Sequence, residues 1–200
     1  MKKMSTKTFV ETALLVAITI IMGMTPLGTI RTPFLSVSLV TVPVAIAAII
    51  IGPVGGTICG LTFGITSFIN ALTGASGMLS TLFVINPFGV FVTAVVTRTL
   101  EGLLVAYIFK GFKAIKLKNL SYYLASICCP LLNTVLFMGC IVLFFYNTDY
   151  IQGLVESVGA TNAFMFVILL VGVQGIIEAV TALIIAGTVS LALSKALNRN

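Results

Sequence analysis

Six long apolar stretches run through the 200-residue sequence and limit what the chain can fold into. A helix needs roughly 20 mainly apolar residues to cross the hydrocarbon core of a bilayer, and charged residues make up only 8% of this chain. The pattern therefore predicts an all-α membrane protein with six transmembrane helices. Because the stretches use almost every residue, we expect a single domain over residues 1–200. The predicted spans are residues 8–25, 35–51, 54–72, 87–109, 120–146 and 161–194.

The first stretch follows Met1-Lys2-Lys3, a start that secretory signal peptides share. No small-residue cleavage site follows it, and Thr25-Pro26-Leu27-Gly28 is typical of a turn. We therefore expect residues 8–25 to be the first membrane helix. The second stretch is short and carries Pro43, whereas the last exceeds the hydrocarbon thickness and is expected to tilt or project.

Positive charge is concentrated on one side of this topology. The net charge of +6 would suggest nucleic acid in a soluble protein, but here the lysines flank membrane spans. By the positive-inside rule the lysine-rich side is cytoplasmic, so both termini are expected there. We expect no nucleic-acid partner, and anionic lipid contact only as a secondary effect. The residues on this side are Lys2, Lys3, Lys7, Lys110, Lys113, Lys116, Lys118, Lys195 and Arg199, while Arg31, Asp149 and Glu156 lie opposite.

The residue types present argue against an enzyme. Without any histidine, neither an H-E-x-x-H zinc site nor a Ser–His nucleophile pair can form. Gly74-Ala75-Ser76-Gly77 matches the G-x-S-G of intramembrane serine proteases only superficially, because the serine lacks a general base. We expect no catalytic residue, cofactor or metal site, and any energy from ATP must come from another protein. Cys59, Cys128, Cys129 and Cys140 all fall in apolar spans, where small buried side chains are expected.

Three ionisable side chains, Arg98, Glu101 and Glu178, lie deep within predicted spans. A charge at the bilayer centre costs roughly 2.5–3.5 kcal/mol on insertion scales, so such residues usually face a protein interior or a solvated cavity. Amide side chains at helical spacing predict a shared polar cavity for a small solute, with Arg98 anchoring a carboxylate. The alternative is structural: Arg98 pairs with one of the glutamates, and the amides bond between helices. The candidate binding residues are Asn70, Arg98, Glu101, Asn133, Gln174 and Glu178.

Small residues recur every fourth position on two predicted helices. Gly56, Gly60 and Gly64 form a smooth ridge on the third, which favours close packing within the chain, with a dimer interface as the alternative. Ala13 and Ala17 form a comparable notch on the first.

The residues before the fourth span predict how it begins. Asn86 and Pro87 combine an N-cap residue with proline at the first helical position, so the helix should start sharply. Arg98 then lies some 16–17 Å below that end. Residues 73–85 are expected to form an outer loop that could cover a pocket.

Six short segments carry a family resemblance that extends over residues 8–195. They are residues 33–43, 52–56, 60–70, 97–102, 131–134 and 174–178. In these segments the chain resembles the substrate-binding (S) components of energy-coupling factor (ECF) vitamin transporters. The notch at Ala13 and Ala17 is similar to the first-helix motif by which such proteins dock on their scaffold.

The resemblance implies a function as well as a fold. It implies a multi-pass protein of the bacterial cell membrane that captures a vitamin from outside and delivers it through a scaffold subunit driven by two ATPase subunits. The segments are most similar to the pantothenate-binding branch, and the carboxylate, hydroxyls and amide of pantothenate suit the predicted polar set.

Three alternatives stay open. The 14 Phe and 5 Tyr residues could stack the ring of riboflavin, folate or another vitamin, although the chain has no tryptophan. A structural or assembly protein would use the polar residues only to lock helices together. An autonomous proton-coupled carrier would use Glu178 as its proton site.

Overall fold

The computed structural model describes residues 5–31 and 36–197. Within them the chain is a helical bundle with one small antiparallel hairpin, in which Thr29 pairs with Ser38. The strands are β1 (Thr29–Arg31) and β2 (Ser36–Ser38). The helices are α1 (Thr6–Met24), α2 (Thr41–Ile50), α3 (Pro53–Leu72), α4 (Gly77–Ile85), α5 (Pro87–Ala114), α6 (Leu120–Phe145), α7 (Asp149–Ser157) and α8 (Ala163–Ala196).

Five of these helices, α1, α3, α5, α6 and α8, are long and apolar enough to cross a membrane. They coincide with the first and the last four predicted spans, so the prediction of a helical membrane protein is confirmed. The count of six spans and the cytoplasmic position of both termini stay predictions.

The second predicted span, 35–51, is wrong in its first part. Residues Ser36–Ser38 form a strand, which their polar–apolar alternation suits. The helix begins only at Thr41, so that Pro43 lies in the first turn, where a missing N–H costs no helical hydrogen bond. Because Thr41–Ile49 are buried, α2 is a core helix, about 15 Å long.

The residues before and at the start of α5 confirm the predicted helix cap and correct the predicted loop. The Asn86 side chain accepts a hydrogen bond from the Gly89 N–H at 3.0 Å, which confirms the predicted cap. The expected loop 73–85 is wrong over most of its length, since Gly77–Ile85 is the helix α4. Its run of apolar residues packs inward through Leu79 and Leu82, and this burial favours a helix over a loop.

The glycine ridge of α3 packs against α5 within the same chain. A side chain at Gly60 would overlap the carbonyl oxygen of Arg98, and one at Gly56 would overlap that of Gly102. At Gly64 an added Cβ would lie 2.8 Å from the Ala94 carbonyl oxygen. The prediction of close packing within the chain is therefore confirmed, and the ridge holds the backbone that carries Arg98.

Both long helices that carry buried charges contain a π-helical turn. In α5 it spans Val92–Val96, directly before Arg98, and in α8 it spans Leu183–Gly187, five residues after Glu178. A π-turn shifts the register of the following side chains and often accompanies functional sites. In this chain it changes which face of α5 carries Arg98.

Candidate functional site

A cavity of about 510 Å³ lies between α3, α5, α6 and α8, with the hairpin and the start of α4 at its rim. This volume suits a small organic molecule. Its walls are mixed, with hydroxyl and amide groups beside aromatic rings and methionines. Five predicted binding residues line it: Asn70, Arg98, Asn133, Gln174 and Glu178.

Arg98 is the central cation of the cavity and is 7% exposed. Its guanidinium carbon lies 4.4 Å from the ring centroid of Phe63 and 4.8 Å from that of Phe137. Cation–π attraction to both rings restrains the guanidinium group. Nη1 donates to the Ala94 carbonyl oxygen at 3.2 Å, in the π-turn one helical turn earlier.

The remaining Arg98 donors have no anionic partner in the described part of the chain. Nε is buried without a hydrogen bond, and all five acidic side chains lie beyond the 4.0 Å that defines an ion pair with the guanidinium. An unpaired buried cation is unfavourable unless something compensates it. The arrangement therefore favours an anionic ligand over the internal ion pair.

Glu178 connects the hairpin to the cavity wall. Its Oε1 accepts from the Ser38 backbone N–H at 2.7 Å and from Gln174 Nε2 at 3.0 Å. Ser38 ends β2, so this carboxylate fastens the hairpin to α8 and closes that side of the cavity. Sequence reasoning missed this contact, because 140 residues separate the partners and no local spacing signals it.

The two asparagines have different surroundings. Asn70 Nδ2 donates to the Gly23 carbonyl oxygen at 2.8 Å and so joins α3 to α1. Asn133 Oδ1 is buried and has no hydrogen-bond partner among the described residues. Because an unsatisfied buried acceptor is costly, Asn133 is the better candidate for a bond to a ligand.

Glu101 is placed behind the cavity and is not among the described residues that line it. It is fully buried, and its Oε1 accepts from Cys129 Sγ at 3.0 Å. The same thiol lies 3.5 Å from the Thr41 carbonyl oxygen. Cys129 is thus more than a small packing residue, since it links α5 and α6 to α2.

Phe63 and Phe137 are site residues that sequence reasoning did not select. A signal existed: Phe63 lies seven residues before Asn70 on α3, and Phe137 lies four after Asn133 on α6. Both spacings put the aromatic ring on the same helix face as the amide. The chain has fourteen phenylalanines, however, so a phenylalanine on the same helix face as an amide does not by itself indicate a site.

The described residues include no cluster of three or more His, Cys, Asp or Glu side chains that could hold a metal ion. The four cysteines are free thiols. The groups that line the cavity can recognise a ligand through hydrogen bonds, charge and ring contacts.

Residues 7–190 match the model of one protein family, described as ECF transporter, substrate-specific component. The chain belongs to this family. A search of the curated proteins found no match. As an ECF substrate-specific component it is a multi-pass membrane protein and a transporter subunit, and not an enzyme. The family description names no particular substrate, so the cargo has to be argued from the cavity.

The contact between Glu178 and Ser38 leads to a prediction about the hairpin. We expect Glu178→Ala to destabilise the empty protein by about 1.5–3 kcal/mol, the range for hydrogen bonds to a charged group. Amide exchange over residues 36–40 should accelerate, because the Ser38 N–H loses its acceptor. Thermal unfolding and hydrogen–deuterium exchange would measure both effects.

Glu178→Gln is the matched control, since its amide oxygen can still accept from Ser38. This variant should keep most of the protection of residues 36–40 against amide hydrogen exchange. Unchanged hairpin exchange in Glu178→Ala would show that the hairpin is held by other contacts.

Proposed function

We propose that this substrate-specific component captures a carboxylate-bearing vitamin, with pantothenate as the best fit, from outside a bacterial cell membrane. Delivery then requires a scaffold membrane subunit and two ATPase subunits, as its family membership supports. The observation that carries the choice of cargo is Arg98, a buried guanidinium that lines the cavity and has no carboxylate partner among the described residues.

The cavity offers complementary groups for the rest of pantothenate. A carboxylate on Arg98 would form charge-assisted hydrogen bonds, which are roughly twice as strong as neutral ones. The unpartnered Asn133 Oδ1 can accept from an amide N–H or a hydroxyl. Thr66 and Ser67 of α3 add hydroxyl groups to the same wall.

The aromatic residues favour a ligand without a large ring. The ring centroids of Phe63 and Phe137 are both within 5 Å of the Arg98 guanidinium carbon, so one face of each ring is already occupied. A planar vitamin such as riboflavin or folate would need one of these faces for stacking. An S component for one of those vitamins is the alternative cargo assignment.

Equilibrium binding of labelled pantothenate to the purified protein tests the proposal. The label should be displaced by unlabelled pantothenate and by no other vitamin in a panel. Binding of riboflavin or folate in place of pantothenate would keep the transporter function and overturn the cargo. No binding by folded protein across the panel would favour a structural protein whose polar residues lock helices.

We further propose that α1 docks on the scaffold subunit through Ala13 and Ala17. Both alanines are exposed, and α1 is the least buried of the five long helices. Large apolar side chains flank the pair, among them Leu14 and Ile18, so the alanines form a shallow notch between them. Such a notch lets a second helix approach closely.

Filling the notch should prevent assembly. We expect Ala13→Leu and Ala17→Leu to abolish co-purification with the scaffold while vitamin binding is unchanged, because neither alanine belongs to the cavity lining. Ala192→Leu on α8 is the matched control, since this alanine is also exposed. If both α1 variants still co-purify with the scaffold, the docking surface lies elsewhere.

A further inference from the structure

A recess at the lysine-bearing end of the bundle is separate from the vitamin cavity and shares no lining residue with it. We propose that this recess binds the phosphate group of an anionic phospholipid. It lies where the end of α5, the start of α6 and the end of α8 meet. Its lining consists of Lys113, Lys118, Asn119, Tyr122, Leu191 and Lys195.

The described residues that line the recess give it a positive charge. Its three lysines come from three places in the chain: Lys113 from the last turn of α5, Lys118 from the loop, and Lys195 from α8. None of the five acidic residues of the chain belongs to the lining. Three ammonium groups around one recess repel each other, and a bound phosphate relieves that repulsion.

The floor of the recess is rigid. Lys113 Nζ lies 5.2 Å from the ring centroid of Tyr122, a cation–π distance that restrains the lysine. Tyr122 is 3% exposed, and its hydroxyl lies 2.6 Å from Ser194 Oγ on α8. The ammonium group and the two neighbouring helices are therefore positioned before any ligand arrives.

The loop that carries Lys118 is also held in place. Lys118 has a φ of 39°, in the left-handed region. Its carbonyl oxygen accepts from Ser121 Oγ at 2.6 Å. Leu120 N–H donates to the Leu117 carbonyl oxygen at 2.9 Å. These bonds keep the loop tight, so that Lys118 stays beside the start of α6.

The surroundings favour a lipid over a soluble phosphate. The recess lies at the ends of α5 and α8, two helices that can cross a membrane, which is the level of lipid headgroups. Ile115 and Leu120 beside it are 67% and 52% exposed. They offer apolar contact to acyl chains, which a free phosphate does not need.

Native mass spectrometry of the purified protein with added phosphatidylglycerol or phosphatidylcholine tests the proposal. We expect one preferred phosphatidylglycerol and no preferred phosphatidylcholine. The triple variant Lys113→Gln, Lys118→Gln, Lys195→Gln should bind phosphatidylglycerol about 100-fold more weakly, since each of the three basic residues contributes about fivefold near a headgroup. The thermal unfolding temperature should be unchanged, which shows that the variant is folded and keeps this test independent of the proposed cargo.

The matched control removes the same number of charges outside the recess, as Lys7→Gln, Lys110→Gln, Lys116→Gln. It should retain the phosphatidylglycerol. An equal loss in the control would mean that net charge alone attracts the lipid and would overturn the site. Equal binding of phosphatidylcholine would overturn it as well. Competition by glycerol phosphate at concentrations similar to those of the lipid would identify a soluble phosphate as the ligand and overturn the lipid assignment.

Discussion

Replacing Arg98 with alanine is expected to weaken pantothenate binding by about 100-fold or more, within the range for removing one partner of a buried hydrogen-bonded charge pair. The reason is that the guanidinium is the only cation among the described residues that line the cavity. Equilibrium binding of the labelled vitamin measures the effect. Arg98→Lys should recover only part of the affinity, because an ammonium group cannot hold a carboxylate bidentately.

The stability of the empty protein distinguishes a ligand-binding Arg98 from a structural one. Among the described residues no carboxylate lies within the 4.0 Å ion-pair distance, so Arg98→Met removes a buried charge without breaking an ion pair. We therefore expect an unchanged or higher unfolding temperature in the absence of vitamin. A structural ion pair predicts the opposite, a loss of about 3–5 kcal/mol. Lower stability together with unchanged binding would assign Arg98 to helix packing.

The second large effect is expected at the contact between α3 and α5. Gly60→Ala should destabilise the protein by about 3 kcal/mol or more, because the new methyl group would overlap the Arg98 carbonyl oxygen and force the helices apart. Vitamin binding should fall as well, since the displaced backbone carries the guanidinium. Thermal unfolding of the purified protein and equilibrium binding measure the two losses.

Gly111→Ala is the matched control on α5, because nothing lies within 4 Å of a Cβ added there. It should stabilise the protein slightly, by about 0.5–1 kcal/mol, as expected for Gly→Ala inside a helix. If Gly60→Ala is as stable as Gly111→Ala and binds the vitamin equally well, α3 and α5 can separate without a loss of stability or binding. The ridge then does not position Arg98.

The two predictions connect packing to recognition. The glycine ridge brings α3 close to α5, and this approach places Phe63 of α3 over the guanidinium of α5. The ring centroid of Phe137 on α6 lies 4.8 Å from the same guanidinium carbon. The ring contacts compensate part of the cost of burying the charge and leave its donors for a carboxylate. A larger residue on the ridge would therefore disturb the site without touching the vitamin.

Hydrophobic patterning predicted most of the fold because the bilayer imposes a simple length rule. The rule applied well to α1, α3, α5, α6 and α8. It failed at residues 36–50, where an apolar run is divided between a strand and a buried helix. Hydropathy cannot separate apolar residues that face lipid from those that face protein, and α2 faces protein on all sides.

Charge and spacing also selected most of the candidate cavity. Arg98, Asn133 and Gln174 are polar residues in apolar spans, and the cost of exposing them to lipid predicts that they face inward. Glu101 satisfied the same criterion but lies behind the cavity, bonded to Cys129. The cost of exposing a charge to lipid indicates that the residue faces protein. It does not indicate whether the residue lines the cavity or is buried behind it.

Residue types and their order along the chain thus predicted the membrane class, the places of the long helices, and the small set of polar residues that must be kept from lipid. These follow from the energetics of transfer into hydrocarbon, which depend on residue type and local order alone. The structure was needed to show that Glu178 holds the hairpin, that Asn70 is bonded to α1, and that Arg98 Nε has no hydrogen-bond partner among the described residues. These depend on distances between segments far apart in the chain, which helix packing sets and local sequence does not encode.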